Sequence, residues 1–111
     1  MATNRFANYK RLAEKMAACQ VELEKIYCHY YRGYITAAEQ EKMIALMIRD
    51  NVNNETVISS IFAIIASRPT ASGYKETINN IFNGELKSYV ERMERIRMDQ
   101  ELQELVNTLS A

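Results

Sequence analysis

Tyr9, Leu12, Met16, Cys19, Leu23, Ile26 and Tyr30 recur at alternating spacings of three and four, which on an α-helix gathers all seven side chains into one narrow seam. A seam of that kind must be buried against other helices, so it predicts a helical arm over roughly residues 5–32 and a bundle or coiled-coil partner for it. A second arm over residues 74–109 carries Tyr74, Ile78, Ile81, Phe82, Leu86, Tyr89, Val90, Met93 and Ile96 at helical spacing. Asn83-Gly84 is expected to kink or divide it. A later set, Met98, Leu102, Leu105, Val106 and Leu109, is out of step with the first, so either the helix bends or its last turns meet a different surface. Lys87, Glu91, Arg95 and Asp99 alternate in sign at spacings of four and support a solvated helix face.

The two arms bracket an uncharged, mostly apolar stretch, Thr56 to Ser67. Its Val and Ile content favours a strand on propensity alone. No other segment offers a strand to pair with it, however, and Val57, Ile58, Ile61, Phe62 and Ile65 repeat at helical spacing, so a core helix is expected. It is too short for a membrane span, which needs about 20 predominantly apolar residues. Asn54 should cap this helix at its start, and Pro69 should end it. A further helix is expected over Ala37–Arg49, with Met43, Ile44, Met47 and Ile48 as its apolar stripe. Gly33 can release the first arm through a left-handed turn, and Thr36 with Glu39 spells a capping box for the helix that follows.

The fold class this predicts is all-α: a compact four- or five-helix bundle with long N- and C-terminal helices, built as a single domain over residues 1–111. Basic and acidic residues balance at 14 each, but residues 1–34 carry six basic and three acidic groups, whereas residues 73–111 carry five and seven. Opposite poles of this sort suit an antiparallel homodimer, which is the expected oligomeric state. Charges from Arg5 to Lys15 interrupt any secretory leader pattern, and Cys19 and Cys28 fall on opposite sides of one helix, so a reduced, soluble, cytoplasmic protein is expected.

The usual signatures of catalysis are missing from this sequence. Gly33, Gly73 and Gly84 are far apart and form no phosphate loop, and the single histidine, His29, excludes a multi-histidine metal site within one chain. His29 adjoins Cys28, and adjacent helical residues do not face each other as a base and nucleophile must. Glu91 with Glu94, and Glu101 with Glu104, read as surface charge. No enzyme activity and no cofactor is therefore expected.

What remains is recognition. Tyrosine joins a broad apolar ring to a polar end and suits protein contacts, so Tyr27, Tyr31 and Tyr34 with Lys25 and Arg32 form the candidate interface of a regulatory factor: an inhibitor, adaptor or assembly protein. The alternative is nucleic-acid binding, with Arg11, Lys15, Lys25 and Arg32 contacting successive phosphates along the first arm.

Overall fold

The computed structural model describes residues 3–110, and side chains from residue 7 onward. Four helices follow one another: α1 (Thr3–Tyr31), α2 (Ala37–Asp50), α3 (Glu55–Ser67) and α4 (Tyr74–Ser110). The chain is an all-α four-helix bundle, as the periodicity predicts. Arg5, one of the cations read against a leader, lies outside the described side chains.

Local chemistry sets the breaks. After α1, Gly33 takes φ +78, and its backbone N–H donates to the Tyr30 carbonyl at 3.0 Å, closing the last turn. The capping box then forms: the Glu39 backbone N–H donates to Thr36 Oγ1 at 3.1 Å, and the Thr36 backbone N–H donates to Glu39 Oε1 at 2.9 Å. The bond from the Thr36 backbone holds the Glu39 carboxyl below its ordinary range. A depressed carboxylate supports the folded state above its unfolded value, and that support is lost as pH falls through the folded one. Thr36→Ala should lower stability by about 1 kcal/mol. In urea titration the midpoint should fall without a change in slope; an unchanged midpoint would show that the box contributes nothing. Asn54 caps α3, its side chain accepting from the Val57 backbone N–H at 3.3 Å.

Leu12, Met16, Cys19, Leu23 and Ile26 of α1 are buried as the seam predicts, and they join Val57, Ile61 and Ile64 of α3 and Tyr74, Ile78 and Phe82 of α4 in one core. α3 packs chiefly on α4 and more lightly on α1, whereas α2 packs mainly on α1. That asymmetry corrects part of the core expected in the central segment. Val57, Ile61 and Ile64 are fully buried, but Phe62 is 54% exposed and Ile65 40%, because α2 does not cover the outer side of α3.

α4 is continuous through Asn83-Gly84, so the expected division does not occur. At about 1.5 Å per residue its 37 residues account for most of the molecule's 67 Å length. The alternating ladder is not what pairs on it. Instead Arg97 bridges Glu94 at 2.9 Å and Glu101 at 3.0 Å.

Candidate recognition cleft

Four tyrosines meet where α1 ends and α4 begins. Tyr27 stacks on Tyr74 with ring centroids 6.2 Å apart, Tyr31 lies 5.6 Å from Tyr74, and Tyr30 meets Tyr31 edge-on at 5.1 Å. The Tyr31 hydroxyl donates to the Pro69 carbonyl, tying α1 to the α3–α4 connection. Burial pushes the Tyr27 and Tyr31 phenols above their ordinary range, so both stay neutral and able to donate.

Beside this cluster α2 and α3 diverge, leaving a cleft of about 400 Å³. Tyr27, Tyr30 and Tyr31 line it from α1, Ile44, Ala45 and Ile48 from α2, and Ile65, Arg68 and Pro69 from α3 and its end. Arg68 adopts a left-handed backbone, φ 48, as it closes α3. That conformation costs a non-glycine residue about 1 kcal/mol. The cleft thus joins an aromatic and aliphatic lining to one cation, with Gln40 and Glu41 at its polar edge.

The five residues singled out for an interface separate here. Tyr27 is only 6% exposed and is a core residue, held by its stacking on Tyr74, so it reaches a partner at most through its cleft-facing edge. Tyr31 is half-buried and lines the cleft. Lys25 lies in a different groove, between α1 and α2, with Glu22, His29, Met43, Leu46 and Asp50. Arg32 and Tyr34 are exposed in the turn after α1, where the Tyr34 ring meets His29 edge-on at 5.8 Å. Of the cations in the nucleic-acid alternative, Arg11 and Lys15 share a groove with Asn53, Asn54 and Tyr89 near the start of α3. Lys25 and Arg32 do not line that groove.

The sequence places Ile48 and Ile65 on apolar helix faces and assigns neither them nor Arg68 to a binding surface. For Ile65 the signal is apolar excess: Val57, Ile58, Ile61, Phe62, Ile64 and Ile65 cover more of α3's circumference than a helix packed mainly on one side can bury.

Cys19 is buried, its thiol 3.9 Å from Asn51 Oδ1, and burial pushes its pKa up, which keeps it a protonated thiol. Among the described residues no three His, Cys, Asp or Glu side chains converge as metal ligands, and no helix is long and apolar enough to cross a membrane. Comparison with models of known protein families, with curated proteins and with solved structures gave no match.

Proposed function

We propose that this chain is a noncatalytic helical recognition factor, working as a cytoplasmic homodimer, that binds another protein in the aromatic cleft between α2 and α3. The reading rests on one observation: Ile65 of α3, 40% exposed, lines a cleft whose other walls are Ile44 and Ile48 of α2 and the tyrosines of α1. Apolar and aromatic side chains around a concavity, with Arg68 at its edge, give a partner area to bury and a charge by which to orient. An adaptor, inhibitor or assembly protein uses a surface of this kind, and none of these roles requires a reacting group.

Ala45 is exposed and lines the cleft, so Ala45→Arg should obstruct it without disturbing the core. Immobilised wild-type chain, Ala45→Arg and Lys87→Glu would be compared by quantitative mass spectrometry of captured proteins. The expected result is a partner retained by wild type and Lys87→Glu and depleted at least about tenfold by Ala45→Arg, the loss of at least about 1.4 kcal/mol of binding. If every captured protein binds Ala45→Arg as well as wild type, the cleft is not the binding surface.

A further inference from the structure

α4 outruns the bundle. Gln20 Nε2 donates to Asn79 Oδ1 at 3.0 Å, and Leu12 shares a groove with Tyr89, so α1 and α4 run antiparallel. At that register Thr3, the first residue of α1, falls opposite about residue 97. Beyond it stand Met98, Leu102, Leu105 and Leu109 at spacings of four, three and four, with Val106 beside them, all exposed and Leu109 78% so. The twenty residues from Phe82 to Leu102 turn the helix by roughly 200° beyond whole turns, at about 100° each. The tip's apolar stripe therefore points away from the side of α4 that Phe82 marks as facing the core.

The tip is also one-signed. Residues 98–110 hold Asp99, Glu101 and Glu104 and no basic side chain; Glu101 is bridged by Arg97 at 3.0 Å, which leaves Asp99 and Glu104 without a cation among the described residues. The matching charge lies elsewhere on the same molecule. Residues 7–18 hold Lys10, Arg11 and Lys15 against Glu14 alone, and Arg11 and Lys15 line the groove beside the start of α3. No carboxylate pairs with either among the described residues. Tyr9 and Val90 add exposed apolar surface on the α1 and α4 segments near that end.

We infer that the occupant of each tip is a second copy of this chain: in a twofold dimer the α4 tip of one copy lies across the other's groove, its carboxylates on Arg11 and Lys15. A tip pairing with its own counterpart would set carboxylates against carboxylates, which the charge distribution disfavours. One short helix falls below the roughly 800 Å² per partner of a standard interface. Twofold symmetry supplies the contact twice, since every copy offers both a tip and a groove. The inference rests on the homodimer reading above but not on the cleft, which α1 lines with Tyr27, Tyr30 and Tyr31, near the other end of that helix.

Sedimentation equilibrium of the full chain over a concentration series tests it. Wild type should approach the dimer mass, and Leu102→Ser with Leu105→Ser, which removes apolar area and leaves the tip's charge unchanged, should weaken association at least about tenfold while circular dichroism stays helical. Two further chains make the test specific, one carrying Glu101→Lys with Glu104→Lys and the other Arg11→Glu with Lys15→Glu. Each alone should be monomeric where their mixture forms a dimer, because only the mixture restores opposite charges at both contacts. A monomer mass for wild type at every concentration, a dimer that survives the Leu102 and Leu105 changes, or reversed chains that associate as well alone as when mixed would each overturn the inference.

Discussion

Phe82→Ala should cost about 3–5 kcal/mol, the range for truncating a buried aromatic side chain when the surroundings cannot close over the void. Phe82 is 2% exposed, on the turn of α4 after Ile78, in the core that α1 and α3 complete. The fully buried Leu23, Ile61, Ile64 and Ile78 of the same core come from three different helices, so closing a void in it would require helices to move together. Small domains have about 5–15 kcal/mol in total, and this chain spends many residues on a projecting helix with no core of its own. Thermal or urea unfolding should therefore show Phe82→Ala near the edge of folding, with a much lower midpoint. A loss under about 1 kcal/mol would mean that the helices around it are not packed as described.

The second large effect is expected at Asn51, where a polar side chain is buried in the turn after α2. Asn51 Nδ2 donates to the Met47 carbonyl at 2.8 Å, and Oδ1 accepts from the Cys19 thiol. The residue therefore ties the end of α2 to the middle of α1. Asn51→Ala leaves a helix-end carbonyl without that donor and opens a small polar void, at a cost of about 1–3 kcal/mol. It also uncovers Cys19. Thiol labelling under native conditions should accordingly quicken for Asn51→Ala relative to wild type, with Cys28→Ser as background in both chains. Equal labelling rates with unchanged stability would show that the buried amide bonds do not hold this junction.

Much of the fold was legible because helices are written locally. Gly33, the Thr36–Glu39 box, Asn54 and Pro69 set the breaks through the backbone chemistry of a few residues each, and all lie at or beside observed helix ends. What is not written locally is which neighbour covers which face. The seam of α1 was traced through Ile26 to Tyr30, but a straight helix drifts by about 20° per heptad from such a seam. Near its end Tyr27 takes the buried place, and Tyr30 turns to the cleft. The sequence accordingly places Tyr27 among the interface candidates, although its ring belongs to the core. Phe62 and Ile65 failed in the opposite sense: their hydrophobicity says bury, and only the placement of α2 against α1 leaves them exposed. The displaced phase of Met98 to Leu109 is legible from counting residues, which leaves a bend or a second surface open; α4 runs on as one helix with these side chains exposed.

The unequal support of α2 and α3 has a mechanical consequence for the cleft between them. α3 is held by both α4 and α1, while α2 leans mainly on one helix and reaches it through the turn at Gly33. One wall of the cleft is thus stiff and the other compliant. Local opening free energy follows the density of contacts, so fluctuations in the cleft's width fall mostly to α2. An occupant touching Ile48 and Ile65 together would clamp the compliant wall to the stiff one. It would pay for that loss of motion in affinity, and it would carry the clamp's signature away from itself, as a quietening of the turn at Gly33.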